Sequence, residues 1–282
     1  MASIKVKLFL ALAVLMSLAA AAQLSSSIAL VPSYQPWTPK QLASLVANNG
    51  AWYRADLGIF QLTNGTVVAT ESNAAPVARW NTQAGTSIPF MIQGTNSLRP
   101  LWMNYGSNSF PFLRFRTNYF EVGSSAFLAP GAFWAVFSWP GFGPVGGDII
   151  IASANQGTMV GFSSQFSATE LGRAFFYDGL LAYTTNSVRT NQIVLLVVNT
   201  TSTSPTGLNI YMNGNRETNG AANGYTFSNP NIGGTRSSAA YFTGDLYEWG
   251  FVNGAILTTQ ERTNLQNYVR GRYGASTMVL GP

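Results

Sequence analysis

The chain of 282 residues contains no histidine and no cysteine. Without histidine there is no Ser-His-Asp triad and no His-ligated metal, and no imidazole titrates between about pH 6 and pH 8, so we expect binding to be constant across that range. Without cysteine there is no disulfide, no thiolate nucleophile and no thiolate zinc site. The fold must therefore depend on its hydrophobic core, and the chain is long enough to build one.

Charge is also scarce. Charged residues make up 9% of the chain, against roughly 25% in an average soluble domain. The chain is not predicted to be disordered, because aromatic residues make up 13% of it and disorder accompanies high charge and few aromatics. The excess of 15 basic over 10 acidic residues forms no Lys/Arg cluster, so we expect no nucleic-acid partner.

The first residues have the parts of a secretory signal peptide. Lys5 and Lys7 precede an apolar run over residues 8–22 that ends in four alanines before Gln23. This run is shorter than the ~20 residues that span a bilayer, and small residues before a polar one suit cleavage after Ala22. We predict a signal peptide over 1–22, secretion or display at the extracellular surface, and no membrane association after its removal. Retention of the segment is the alternative.

Two short helices are predicted. Thr38, followed by Pro39 and Gln41, has the pattern of a capping box, and it predicts a helix over 38–48. A second capping box at 258–261 begins a helix whose apolar positions recur at helical spacing up to Tyr273, with Gly274 as its stop. We expect the tyrosine side of this second helix to face the rest of the domain.

Between the helices, the sequence predicts strands. Short runs rich in β-branched and aromatic residues alternate with Gly, Pro and Asn turns, and Asn213-Gly214 is a strong hairpin signal. Strands without intervening helices predict an all-β fold, a two-sheet antiparallel jelly-roll sandwich. The predicted strands include 112–115, 132–138, 148–152, 158–162, 173–177, 192–199, 208–212 and 246–252.

Several motifs occur in an order that points to a family. They are Trp52-Tyr53-Arg54-Ala55-Asp56, Val77-Ala78-Arg79-Trp80, Arg99-Pro100, Tyr211-Met212-Asn213-Gly214 and Gly244-Asp245-Leu246-Tyr247-Glu248. With the closing helix they resemble laminin-G-like domains of the concanavalin A-like lectin/glucanase superfamily. The resemblance covers residues 38–274 and leaves an extension over 23–37 and a tail over 275–282. It implies a jelly roll but no single function, since members bind glycans, bind proteins or hydrolyse polysaccharides.

The acidic residues give little support to catalysis. Glycoside hydrolysis takes two carboxylates about 5–9.5 Å apart, and the Glu-x-Asp-x-x-Glu strand of related hydrolases does not occur here. Asp245 and Glu248 form the close acidic pair, and their spacing predicts that they point to opposite faces of a strand. We therefore expect that the chain is not an enzyme.

No cofactor or metal site is predicted from local motifs. Related domains bind Ca²⁺ through loop aspartates, so calcium remains possible if the fold brings scattered carboxylates together. The candidates are Asp56, Asp148, Asp178 and Asp245.

Aromatic loops are the candidates for glycan binding, because sugars stack their apolar faces on aromatic rings. One Gly/Pro-rich loop carries Trp139 and Phe142, and another segment carries Trp102 and Tyr105. The alternative is that these rings close the end of the core.

Two functions stay open. The first is a secreted, non-catalytic lectin-like protein whose partners are extracellular glycans. The second is a structural subunit of an extracellular filament, surface layer or virion whose partners are copies of itself. A surface with few charges repels itself weakly, and Ile28, Leu30 and Val31 could add a strand to a neighbouring sheet edge.

The chain contains sequons for N-glycosylation at Asn64 and Asn199. Both fit a secreted surface, and their occupancy is open at this point.

Overall fold

The predicted strands form two antiparallel sheets in the computed structural model, which confirms the all-β class. The chain divides into the units Met1–Trp37, of which only Trp37 is described, and Thr38–Pro282. The structure describes residues 37–47, 49–69, 73–104, 110–122, 126–128, 130–141, 148–153, 158–162, 172–188, 190–201, 207–220, 226–235 and 241–274. Everything below concerns these residues.

The strands follow one another along the second unit with few helical interruptions. In chain order they are β1 (Gly50–Arg54), β2 (Ile59–Phe60), β3 (Ala75–Pro76), β4 (Arg79–Asn81), β5 (Phe90–Ile92), β6 (Leu101–Met103), β7 (Phe112–Phe115), β8 (Phe120–Glu121), β9 (Ala126–Leu128), β10 (Gly131–Ser138), β11 (Asp148–Ala152), β12 (Met159–Phe162), β13 (Arg173–Tyr177), β14 (Leu181–Ser187), β15 (Ile193–Thr200), β16 (Leu208–Met212), β17 (Asn215–Gly220), β18 (Thr226–Ser228), β19 (Asn231–Ile232) and β20 (Gly244–Asn253).

Each large sheet contains nine of these strands. The first has the order β17-β16-β15-β10-β20-β7-β6-β3, with β1 paired to β20, and the second has the order β14-β13-β12-β11-β19-β8-β5-β4-β2. A small pair, β9 and β18, is separate. The long strands β10 and β15 are buried at every position, as expected for the centre of a sheet that is covered on both faces.

The core lies between the two large sheets and is rich in aromatic rings. Phe137 of β10 lies 5.0 Å from Phe162 of β12, measured between ring centroids. Tyr53 of β1 lies 5.5 Å from Trp80 of β4. Each pair joins one sheet to the other, so that edge-to-face and tilted ring contacts contribute packing energy to the sandwich.

The N-terminal helix is shorter than predicted. Instead of one helix over 38–48, the structure has a 3₁₀ turn at Pro39–Gln41 and a four-residue helix α1 at Ala43–Val46. Leu42 separates them because its backbone is extended (φ −61°, ψ 128°) and its side chain is fully buried. The predicted bond from Thr38 N to Gln41 Oε1 is present at 2.8 Å.

The C-terminal helix α2 covers Thr259–Tyr273 and confirms the second capping box. Glu261 N donates to the Thr258 hydroxyl at 3.2 Å, and Thr258 N donates back to Glu261 Oε2 at 2.9 Å. Its inward positions are buried as expected: Leu265, Val269 and Tyr273. Within the described residues, neither helix is long and apolar enough to cross a membrane.

A bulge in β20 corrects the expected orientation of its acidic residues. Val136 lies opposite Glu248 and Phe137 lies opposite Leu246, so Tyr247 has no opposite partner in β10. Leu246 and Trp249 both point into the core, and an extra residue between them changes the alternation. Asp245 and Glu248 therefore face away from the core on the same side of the sheet, not on opposite sides.

Candidate functional site

A row of polar side chains crosses three neighbouring strands of the first sheet. Arg114 of β7 lies opposite Asp245 of β20, and Asp245 lies opposite Ser138 of β10. Arg114 Nε and Nη2 donate to Asp245 Oδ1 and Oδ2 at 2.8 and 2.9 Å. This two-point pairing fixes the guanidinium plane, because both donors and both acceptors are used together. We call these three residues the polar row.

The polar row lies in a groove of about 590 Å³ where β7 and β10 end and β20 begins. Two strand-end loops contribute Asn191 and Thr243 to its walls. Asn191 holds a left-handed backbone (φ 59°) and donates its N–H to the Trp139 carbonyl at 2.7 Å. The remaining described lining residues are Phe115, Arg116, Thr117, Pro140 and Gly244.

Gly244, at the base of the groove, has no room for a side chain. A Cβ at this position would lie 2.7 Å from the Ser138 carbonyl oxygen and would overlap the Phe242 ring. Any larger residue would therefore push β10 or the Phe242 ring out of place.

Charge in the groove is nearly balanced, with a small positive excess. Asp245 is the one carboxylate among the described lining residues, and Arg114 and Arg116 are the two cations. The Asp245 carboxylate is mostly buried, since 16% of its side chain is exposed. Burial raises the pKa of the neighbouring Tyr247, and the charge of Asp245 adds to it, against the opposing hydrogen bond of Ser138 and charge of Arg114.

A second cluster lies on the same sheet beneath helix α2 and is closed to solvent. Glu248 is fully buried and accepts hydrogen bonds from Trp52 Nε1 at 2.9 Å, Tyr268 Oη at 2.8 Å and Tyr273 Oη at 2.7 Å. Arg272 Nε lies 3.3 Å from Glu248 Oε1, in a geometry that forms no hydrogen bond. Each carboxylate oxygen is satisfied, so this cluster fastens the helix to the sheet.

An ion-pair chain extends from this cluster to the surface. Arg272 Nη2 donates to Asp56 Oδ2 at 2.7 Å, and Arg54 pairs with the same carboxylate. Burial alone would raise the pKa of Asp56, but the hydrogen bond from Arg54 and the charges of Arg272 and Arg54 outweigh it and hold this pKa below its usual range. Burial raises the pKa of Glu248, against the opposing hydrogen bonds of Tyr273 and Trp52.

Two of the four predicted glycan-stacking rings, those of Trp139 and Trp102, are buried. Trp139 is 2% exposed and stacks on Phe162 at 5.6 Å, and Trp102 is 4% exposed and donates its Nε1–H to the Ala55 carbonyl at 2.8 Å. Their ring faces are in the core, which is the alternative that the sequence left open. Phe142 and Tyr105 lie outside the described residues.

The structure describes both glycosylation candidates but none of the assembly candidates. The assembly candidates Ile28, Leu30 and Val31 lie outside the described residues. Of the sequons, Asn64 is exposed, whereas Asn199 is 1% exposed and fails as a surface site because its carboxamide is bonded inside the fold.

The candidate calcium aspartates are not gathered in the part of the chain that the structure describes. Asp56 and Asp245 are paired with arginines, and Asp178 Oδ1 accepts the N–H of Leu180 in a turn at 3.2 Å. Within the described ranges no three acidic side chains approach one another as metal ligands would.

The polar row was missed by sequence reasoning. Arg114 and Asp245 are 131 residues apart, and nothing local to either one reveals the register that pairs them. The available signal was weak: an arginine within the apolar run Phe112–Phe115, in a chain where charges are rare.

The two large sheets define an antiparallel β-sandwich. No family model and no curated protein matches the sequence. Solved structures that are similar include domain 4 of AbnA, an extracellular arabinanase from Geobacillus stearothermophilus in complex with arabinotriose, with a TM-score of 0.47 and 11% identity over 62% of this chain and 82% of that one.

A Trypanosoma rangeli sialidase in complex with a difluoro-KDN compound has a TM-score of 0.46 and 10% identity over 84% of this chain and 35% of the sialidase. A heptameric SAP-like pentraxin from Limulus polyphemus has a TM-score of 0.36 and 14% identity over 57% of this chain and 78% of that one. This chain therefore spans about a third of the sialidase, and the likeness to all three concerns the fold alone.

One expectation is corrected by these structures. The chain was expected not to be an enzyme, yet sialidases and an arabinanase domain occur among the similar structures. That expectation was drawn from the acidic residues, and it is withdrawn because the similar structures include enzymes.

Proposed function

We propose that the chain is a secreted, laminin-G-like module that binds glycans in the groove around the polar row. The observation that carries the proposal is the fixed pairing of Arg114 with Asp245, beside Ser138, at an opening of about 590 Å³. A carboxylate and a guanidinium held in one plane offer acceptors and donors at set positions, which is what vicinal sugar hydroxyls require.

The surroundings of the polar row suit a sugar ring. Asn191, Thr117 and Thr243 add amide and hydroxyl groups, and Pro140 adds an apolar surface. A groove of this size accommodates a few sugar units. The excess of one positive charge from Arg116 over the Arg114–Asp245 pair favours sugars with an acidic substituent.

A glycan array probed with the folded full chain tests the proposal. We expect retention on some glycans, and we expect Asp245→Asn to weaken it at least tenfold, because the variant carboxamide loses one acceptor and the charge that orients Arg114. Asp178→Asn is the matched control, since it makes the same chemical change in a turn away from the groove.

Two results would count against the groove. One is the absence of binding to every glycan by a chain whose thermal melting shows it to be folded. The other is binding that Asp245→Asn and Asp178→Asn leave equally unchanged.

Self-association is the second candidate, and the scarcity of charge favours it. Charged residues make up 9% of the chain, so copies of the protein repel one another weakly. Negative-stain imaging of the full chain tests this role. Regular polymers that disappear on deletion of residues 23–37 would support assembly, and a single monomeric species would contradict it.

A further inference from the structure

The two sequons of the chain have opposite environments in the fold. Asn64 is exposed in the loop that follows β2. The loop returns to the strand at Val68, which forms a β-bridge with Phe60. Its Oδ1 accepts the N–H of Thr66 at 3.1 Å and the Thr66 hydroxyl at 2.8 Å. The residue as a whole is exposed, and its carboxamide nitrogen has no hydrogen bond to another described residue.

Asn199 is committed to the interior. Its Nδ2 donates to the Leu257 carbonyl at 2.8 Å, and its Oδ1 accepts the Leu257 N–H at 3.3 Å. This pair of bonds connects β15 to the turn before helix α2. A sugar on Nδ2 would break the bond to Leu257 and would need space that a 1% exposed side chain lacks.

The surface around Asn64 is unusually apolar. Leu62, Val67 and Val68 are 44%, 39% and 38% exposed in the same loop. Arg79 donates to the Thr63 carbonyl at 3.3 Å and stacks its guanidinium 3.9 Å above the Phe90 ring, which is itself 37% exposed. Exposed apolar side chains that lie together favour association or aggregation unless a partner or a hydrophilic group shields them from water.

We propose that Asn64, and not Asn199, carries an N-linked glycan in the folded protein, and that its first sugars cover this apolar loop. The proposal depends on export of the chain, as expected from residues 1–22, and not on glycan binding in the groove. In the reaction the Asn64 Nδ2 forms a bond to C1 of a lipid-pyrophosphate-linked oligosaccharide. The C1–O bond to the pyrophosphate breaks, the lipid pyrophosphate leaves, and the amide loses one proton.

Translation of the full chain with eukaryotic microsomes tests the site. We expect one mobility shift on a gel, and treatment with an amidase that releases N-linked glycans should remove it. Because this enzyme hydrolyses the side-chain amide, mass spectrometry of the peptide should then find aspartate at position 64. Thr66→Ala should abolish the shift and Thr66→Ser should retain it. Thr201→Ala is the matched control, because it destroys the other sequon while leaving the Asn199 carboxamide in place, and it should retain the shift.

Protection of the chain from added protease shows whether it has entered the microsomes, which distinguishes a failure of export from a failure of glycosylation. If the native N-terminus does not direct the chain into the microsomes, a fused signal sequence places it there, and the same variants decide the question. A protected chain that shows no shift would overturn the proposal. So would a shift that is lost with Thr201→Ala and kept with Thr66→Ala.

Discussion

Tyr273 donates its hydroxyl to Oε1 of the buried Glu248 at 2.7 Å. The bond connects the last residue of helix α2 with the central strand β20, just after the bulge at Tyr247. Because the bulge turns Glu248 toward the helix, one carboxylate can accept two phenol hydroxyls and the Trp52 indole at once. The acid thus has a structural role at the junction of helix and sheet.

Truncation at this junction should be costly. Glu248→Ala leaves three buried donors without their acceptor and removes the carboxylate that lies beside Arg272, and breaking a buried charge cluster costs about 3–5 kcal/mol. We expect a loss of that size in the free energy of unfolding, measured by urea titration. Glu261→Ala is the control, since it truncates a half-buried glutamate in the capping box of the same helix and should cost about 1 kcal/mol. Equal losses in the two variants would contradict the role of Glu248.

The pairing of Asp56 predicts sensitivity to acid. Its pKa is lower in the folded protein than its usual value of 3.8, so its contribution to stability is present above that value and is lost as the pH falls through the lower, folded pKa. Asp56→Asn should be less stable than the wild type at about pH 6, and the difference should close at lower pH. Urea midpoints of both proteins across this range measure it. A difference that stays constant with pH would show that the carboxylate charge does not stabilise the fold.

Glu248 should show the opposite dependence. Its pKa is raised above the usual 4.5 by burial, so the folded state holds the proton more tightly than the unfolded state does. The contribution is most favourable below 4.5 and declines as the pH rises through the folded pKa. The stability difference between the wild type and Glu248→Gln should therefore shift against the wild type from acid to neutral pH. A shift in the other direction would mean that the three donors outweigh burial.

Much of the fold could be predicted because strand signals are local. The runs at Asp148–Ala152, Arg173–Tyr177 and Leu208–Met212 form strands with the predicted bounds, since β-branched and aromatic residues between turn signals need no distant information. The turn at Asn213-Gly214 likewise has positive φ at both residues, 51° and 87°, as the two-residue hairpin demands.

The candidate site could not be predicted because it depends on register and on burial. The pairing of Arg114 with Asp245 exists only after β7 and β20 align, and the bulge that places Asp245 and Glu248 on one face has no signature in the sequence around Tyr247. A tryptophan in a Gly/Pro-rich loop has the same local pattern whether it faces solvent or the core. Trp139 faces the core.

Gly250 should tolerate no side chain. It lies beside Trp134 on the neighbouring strand, and a Cβ there would overlap the fully buried Trp134 ring. Overpacking of this kind costs about 1–3 kcal/mol. Gly250→Ala should lower the free energy of unfolding by that amount. Gly271→Ala is the control, because a Cβ at that helical position meets nothing within 4 Å and alanine favours the helix, so it should be neutral or stabilising.

Trp139 and Asp245 should separate stability from binding. Trp139→Ala removes a ring that is 2% exposed and stacked on Phe162, and such a truncation costs about 3–5 kcal/mol. Its melting temperature should fall, while the fraction that remains folded should bind glycan with unchanged affinity, because the ring does not line the groove. Asp245→Asn should show a large loss of binding, and its melting temperature should fall less than that of Trp139→Ala because the variant carboxamide keeps one acceptor for Arg114. Trp139→Phe keeps part of the packing and should fall between Trp139→Ala and the wild type in stability. Loss of affinity by the folded fraction of Trp139→Ala would instead place the ligand on the ring.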